Sequence, residues 1–204
     1  RLVWRDDSGN STHNWYANTT TASAPLVTNL KTEALSPTTA LVSFDTNYSA
    51  SVELEYGIGT VNDNTEIISG EATSFSTQLS DLSPGQTYTL RVRAETEDGT
   101  EFFAGDTIVT PPLPTISSMG IETIYTGVTP ALKVSWKTNI ETTSSIFYKL
   151  KETGSYKEIS SSERSTEHEA TINDLLDSST YQVYVSGLDQ YGNEAVSDTN
   201  TFNT

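Results

Sequence analysis

SFDTNYSASVELEY (43–56) and SWKTNIETTSSIFY (135–148) are one pattern written twice. Ser43, Thr46, Asn47 and Tyr56 return as Ser135, Thr138, Asn139 and Tyr148, all at an offset of 92 residues. Downstream, Leu82 and Tyr88 return as Leu175 and Tyr181 at 93, and Ile108-Val109-Thr110 matches Phe202-Asn203-Thr204 at 94. That period exceeds the roughly 20–50 residues of solenoid and propeller units. Each copy is therefore a whole small domain, and the 204 residues divide into a leader (1–23), domain one (24–112) and domain two (113–204).

Working outward from the repeat, apolar residues alternate with polar ones. Ala40, Val42 and Phe44 share one phase, as do Leu132, Val134 and Trp136 in the second copy. Val52, Leu54 and Tyr56 form another run with Glu53 and Glu55 in the opposite phase; Phe75, Thr77 and Leu79 match His168, Ala170 and Ile172; and Tyr88, Leu90, Val92 and Ala94 match Tyr181, Val183, Val185 and Gly187. Period two, β-branched and aromatic enrichment, and the turn signals Asp98-Gly99 and Gly192-Asn193 predict strands throughout. No segment predicts a helix. About seven short strands in roughly 90 residues predict an all-β, two-sheet sandwich in each copy. A first strand is expected at Pro25–Leu30, paralleling Pro114–Met119, with Lys31 in the connection that follows. Thr110-Pro111-Pro112-Leu113-Pro114 is a short, stiff linker that favours domains lying end to end.

Leu82-Ser-Pro-Gly-Gln-Thr-Tyr88, leading into a strand, resembles the E–F corner of fibronectin type III domains. In that family the Tyr hydroxyl bonds back to upstream backbone. Trp136 and Tyr148 resemble the family's buried aromatic pair. The resemblance covers 24–204 and implies two immunoglobulin-like sandwiches in tandem, with Phe44, Tyr56, Leu82, Tyr88, Trp136, Tyr148, Leu175 and Tyr181 as framework residues. Domain one departs from the pattern with Phe44 where the Trp is expected, and Leu175-Leu-Asp-Ser-Ser-Thr-Tyr181 lacks the Pro. The wording of the sequence (SWKTN, SSIFYK, DQYGN) is similar to domains of bacterial surface proteins and of secreted enzymes, and domain one is similar to the non-catalytic domain preceding the catalytic part of purple acid phosphatases.

Composition narrows the partners. The net charge is −16, with domain one at −10 (three basic, 13 acidic) and domain two at −6 (six basic, 12 acidic). Such a surface repels phosphate backbones and anionic bilayers, so neither nucleic acid nor direct membrane insertion is expected. No Cys is present, which removes disulfides, thiolate metal sites and a Cys nucleophile.

The candidates for chemistry are few. His13 reads as part of a solvated turn and His168 as a half-buried edge-strand residue. Nothing resembles Gly-x-Ser-x-Gly, and no Ser is singled out as an activated nucleophile. The pair Glu53/Glu55, the cluster Glu95/Glu97/Asp98/Glu101 and the pair Glu167/Glu169 read as solvated faces rather than the paired acids of a glycosidase. No cofactor is expected. Calcium would draw on Glu97, Asp98 and Asp106, read as lying near the domain junction; these are three carboxylates, whereas calcium takes six to eight oxygens. Asp6–Asn10 is oxygen-rich but has no Glu at the EF-hand distance. A Lys–Asn isopeptide bond is disfavoured by the outward phase of Lys133.

In the leader, Trp4, Trp15 and Tyr16 are expected to pack on domain one, with a ligand or partner contact as the alternative; strands are expected at Leu2–Trp4 and Asn14–Tyr16. The function expected is a non-catalytic spacer or adhesive stalk of an extracellular or cell-surface protein, meeting a protein or glycan surface. The alternatives are a homo-polymeric filament built by strand addition through the leader, and accessory domains of a secreted hydrolase or phosphatase.

Overall fold

A computed structural model describes residues 3–5, 11–13, 24–61, 63–126, 128–152 and 154–204. In the leader, β1 (Val3–Arg5) pairs antiparallel with β2 (Ser11–His13), Trp4 lying opposite Thr12. The strand expected at Asn14–Tyr16 lies outside the described residues, and His13 is a strand residue opposite Val3, not part of a turn. Arg5 lies opposite Ser11 in this pair.

Domain one contains β3 (Val27–Ser36), β4 (Thr39–Ile58), β5 (Asn64–Leu79), β6 (Thr87–Glu95) and β7 (Glu101–Val109). Domain two contains β8 (Ile116–Thr126), β9 (Thr129–Leu150), β10 (Lys157–Ile172), β11 (Thr180–Leu188), β12 (Glu194–Val196) and β13 (Asn200–Asn203). The long strands correct the expectation of seven short ones. β4 first lies between β3 and β5, with Ala40 opposite both Ala34 and Leu79. After a break in register between Asp45 and Ala50 it lies between β5 and β6, with Leu54 opposite Glu66 and Val92. One strand therefore serves both layers of the sandwich. It can do so because parity survives the bend: Ala40, Val42, Phe44 and Thr46 are buried before it, and Ala50, Val52 and Leu54 after it. β9 repeats the arrangement against β8, β10 and β11. β3 also runs six residues beyond Leu30, which places Lys31 in the strand, exposed and opposite Ser43.

Each sandwich has its own core. Val42, Leu54, Leu79, Leu90, Val92 and Ile108 fill the first, and Leu132, Val134, Ile146, Ile172, Val183 and Val185 the second. Side chains of this size contribute about 1.5–3 kcal/mol each when fully buried.

The repeated polar residues hold the backbone in matching ways. Asn47 Nδ2 donates to Ala24 O (2.9 Å) and its Oδ1 accepts Leu26 N–H (2.8 Å). Asn139 does the same to Leu113 O (2.9 Å) and Thr115 N–H (2.7 Å), so each Asn ties down the start of its domain. Thr46 and Thr138 donate their hydroxyls to Tyr48 O (2.7 Å) and Ile140 O (2.8 Å) across the bend. The Tyr88 hydroxyl accepts Ser83 N–H (2.7 Å), and Tyr181 accepts Leu176 N–H (3.0 Å) without the Pro. Thr110 accepts Gln86 N–H (2.9 Å) and donates to Ser83 O (2.7 Å); Thr204 accepts Ser179 N–H (3.0 Å) and donates to Leu176 O (2.6 Å). The last strand is thereby locked to the corner in both copies. At the corner Gly85 takes φ +67°, where domain two has Ser178 at φ +51°.

Candidate functional site

Trp4 lies in the leader hairpin, and Trp15 and Tyr16 fall outside the described residues. Asp98 and Asp106 are engaged by local bonds. The calcium reading placed Glu97, Asp98 and Asp106 at the domain junction, and this is corrected: Glu97 and Asp98 sit in the β6–β7 turn, at the opposite end of β7 from the linker. Asp98 Oδ1 accepts Thr96 Oγ1–H (2.6 Å) and Thr100 N–H (3.1 Å), bonds that hold its carboxyl below the usual value. Asp106 accepts Thr32 Oγ1–H (2.9 Å), further along the strand. Among the described residues no three acidic or His side chains gather as metal ligands. Lys133 pairs with Glu169 (3.0 Å) and Lys137 with Glu167 (2.6 Å), both on the outside.

His168 is more enclosed than the sequence suggests. It lies on β10, which among the described residues pairs only with β9, yet it is 7% exposed and stacks on Trp136, the ring centroids 5.0 Å apart at 17°. Its Nε2 lies 3.3 Å from Thr138 Oγ1 and 3.2 Å from Thr142 Oγ1. His168 and Trp136 also line a cleft of about 230 Å³ with Ser118, Ser135, Glu167 and Glu169, whose two carboxylates pair with Lys137 and Lys133.

The two copies diverge on the outer face of the sheet formed by the second half of the long strand and the two strands beyond it. In domain one this face is a charge ladder. Glu55 pairs with Arg91, Glu53 with Arg93 (2.6 Å), and Arg93 also with Glu101, while Arg91 lies 5.7 Å from the Phe103 ring centroid. The Arg91 guanidinium holds the Glu55 carboxyl below its ordinary value, so the pair is unsuited to general-acid work.

Domain two has aromatic residues at the same positions. Phe147 and Tyr184, the counterparts of Glu55 and Arg91, stack with centroids 4.7 Å apart at 12°. Tyr156 meets Tyr184 edge-on at 5.0 Å, and Lys149 Nζ lies 4.8 Å from the Tyr156 ring centroid. Exposed Leu188 and Val196 extend this surface along β11 and β12. Lys149 also stands on the rim of a groove of about 510 Å³, lined by Tyr148, Lys157, Leu175, Leu176 and Tyr181 among others. That volume lies within the roughly 300–1,000 Å³ of small-ligand sites. Lys157 Nζ reaches to 6.0 Å from the Tyr148 ring. Apolar rings and two ammonium groups thus lie together on this surface.

Sequence reasoning did not single out this face. A signal was present, since Phe147 and Tyr184 occupy the outward phase of strands whose inward phase is already filled by Ile146, Tyr148, Val183 and Val185.

The family model "Fibronectin type III domain" matches residues 23–110. Among solved structures, the two-fibronectin-type-III-domain segment of chicken tenascin is 17% identical, with 87% of this chain and 99% of that chain covered and a TM-score of 0.42. The FN1–FN3 domains of chicken CNTN1 are 14% identical, with 87% and 66% covered and a TM-score of 0.44. No curated protein matches the chain. Fibronectin type III domains are typically non-catalytic structural modules. The chain is all-β, two fibronectin type III-like sandwiches in tandem, the first of them matched by the family model over residues 23–110.

Proposed function

We propose that this tandem is a non-catalytic structural and adhesive segment of an extracellular or cell-surface protein, and that it meets a protein or glycan surface through the outer face of domain two. One observation carries the reading. Residues shared by the copies go to the framework, as with Asn47/Asn139, Tyr88/Tyr181 and Thr110/Thr204, whereas the matching outer positions hold an ion pair in one copy and stacked rings in the other. Aromatic side chains combine large contact area with few rotors, which suits them to partner surfaces. The acidic charge of both domains supports a partner other than nucleic acid, and the function requires no cofactor.

The test compares attachment of the intact chain, a Tyr156→Ser/Lys149→Ser variant and a chain lacking residues 1–23 to protein-coated and glycan-coated surfaces, with melting curves as the control for folding. Attachment should drop at least tenfold in the double variant and persist in the truncated chain. Attachment that survives the double variant but fails on truncation would move the contact to the leader with Trp4, Trp15 and Tyr16. Catalytic turnover by the chain alone would refute the non-catalytic reading.

A further inference from the structure

The turn after the long strand is built differently in the two copies. In domain one Tyr56 lies opposite Asn64, and Asp63 Oδ2 accepts Ile58 N–H (3.1 Å), which folds the turn onto the strand end. Gly57 permits this, because a Cβ there would come within 2.5 Å of Asp63 Oδ2 and 2.4 Å of Thr60 O. In domain two Tyr148 lies opposite Lys157, and Lys149 stands in the place of Gly57. The groove of about 510 Å³ opens there, between the end of β9, residues 154–157 and the corner at 173–176.

The groove is lined by polar side chains that bond to nothing. Among the described residues Lys149, Ser155, Lys157, Asn173 and Asp174 make no side-chain hydrogen bond and no ion pair. By contrast, Lys133 and Lys137 of the same domain pair with Glu169 and Glu167. Lys149 Nζ instead lies 4.8 Å from the Tyr156 ring and Lys157 Nζ 6.0 Å from the Tyr148 ring. Glu158, next to Lys157, accepts Ser145 Oγ–H (2.9 Å). Leu176, where domain one has Ser83, lines the groove and is 61% exposed.

These groups describe a ligand. An ammonium only donates, a carboxylate only accepts, and an amide or hydroxyl does both. A ligand that meets all of them must carry closely spaced groups that both donate and accept, as the vicinal hydroxyls of a pyranose do. Its C–H face suits Leu176 and the Tyr148 ring. A peptide spaces its polar groups more widely, and β domains take it up along a strand edge. Two ammonium groups against one carboxylate leave the groove positive within a chain of net charge −16. An acidic sugar is therefore favoured over a neutral one, whereas a densely sulfated chain is repelled by the rest of the surface. We propose that the groove is a binding subsite for a carboxylated saccharide, with Lys149 and Lys157 attracting the carboxylate and Asn173 and Asp174 meeting the ring hydroxyls. The subsite rests on the reading of domain two as the contact copy and names the ligand class it takes.

NMR titration of the intact chain with 3′-sialyllactose and trigalacturonate, against lactose and maltotriose at equal ionic strength, tests this. The acidic sugars should bind with Kd of about 0.1–3 mM. They should shift amides of 148–157 and 173–177 but not of the matching 56–64 and 80–84. Lys149→Ser/Lys157→Ser should weaken the acidic sugars by about fivefold or more, down to the level of the neutral ones. Asp174→Gly keeps the left-handed backbone (φ +55°) and should weaken acidic and neutral sugars alike. The remaining amide signals, unmoved in each variant, report that the fold is kept. No shifts up to about 20 mM sugar, shifts spread over both domains, neutral sugars bound as tightly as acidic ones, or a tri-glutamate peptide bound more tightly than either acidic sugar would overturn the proposal. If the sugars fail to bind while attachment to coated surfaces still depends on Phe147 and Tyr184, the subsite falls and the outer-face reading stands. Binding in the groove with attachment indifferent to Phe147 and Tyr184 supports the subsite and removes the outer face.

Discussion

Replacing Tyr88 by Phe isolates one bond of the corner. The ring stays, 5% exposed with its apolar contacts kept, and only the hydroxyl that accepts Ser83 N–H at 2.7 Å is lost. Leaving a donor without a partner costs about 1–3 kcal/mol when it is buried. Ser83 is exposed, so water can take over part of the bond, and the lower half of that range applies. For a domain of 60–100 residues 1 kcal/mol shifts the melting point by about 4–8 °C, so the transition of domain one should fall by roughly 4–16 °C while that of domain two stays in place. Calorimetry resolves the two transitions. Thr110→Val removes the second tie to the same segment, because Thr110 Oγ1 donates to Ser83 O. Groups that share a partner couple by about 0.5 kcal/mol or more, so the double variant should not be additive. A Tyr88→Phe change below about 0.3 kcal/mol, or strict additivity with Thr110→Val, would refute the view that the corner is held by these hydroxyls.

Other perturbations address the remaining devices. Asn139→Ala removes the bonds to Leu113 O and Thr115 N–H and should destabilise domain two alone by about 1–3 kcal/mol in urea melts. Ser178→Gly relieves a left-handed residue at φ +51°; left-handed backbone costs a non-glycine about 1–2 kcal/mol, part of it offset by glycine's extra chain entropy, so a gain of roughly 0.5–1 kcal/mol is expected in domain two. Below pH 4.5 both domains should lose stability: Glu55 is held below its ordinary value by Arg91, and Glu167 by Lys137, so their contributions are complete above 4.5 and vanish as pH falls through the lowered values. Acid melts of Glu55→Gln and Glu167→Gln, each flatter than the unaltered chain in its own domain, would check the sign.

Much of the framework could be read from the sequence because it depends on local rules. Phase alone put Ala40, Val42, Phe44, Leu90 and Val92 inside. The corner spacing pointed to Tyr88 and Tyr181, whose hydroxyls the structure places on backbone N–H groups. What was missed depends on the third dimension. The continuity of β4 and β9 follows from parity persisting through the bend, and residues 46–50 do not look like strand taken alone. Glu97 and Asp98 seemed close to the linker because they are near it in sequence, whereas an antiparallel strand carries them to the far end. The enclosure of His168 requires Thr138 and Thr142 from another strand, and its polar neighbours Glu167 and Glu169 disguise it. The stack of Phe147 on Tyr184 joins residues far apart in the chain, and a solvent-phase aromatic shows its partner only once the strands are in register.

Exchanging the outer pairs between the domains tests the central claim most directly. Phe147→Glu with Tyr184→Arg gives domain two the ladder pair of domain one, and Glu55→Phe with Arg91→Tyr does the reverse. With both melting transitions retained, the account expects attachment to the protein-coated or glycan-coated surface to vanish in the first variant and to return, at least in part, when the second exchange is added. Attachment unchanged by the loss of Phe147 and Tyr184 would contradict it.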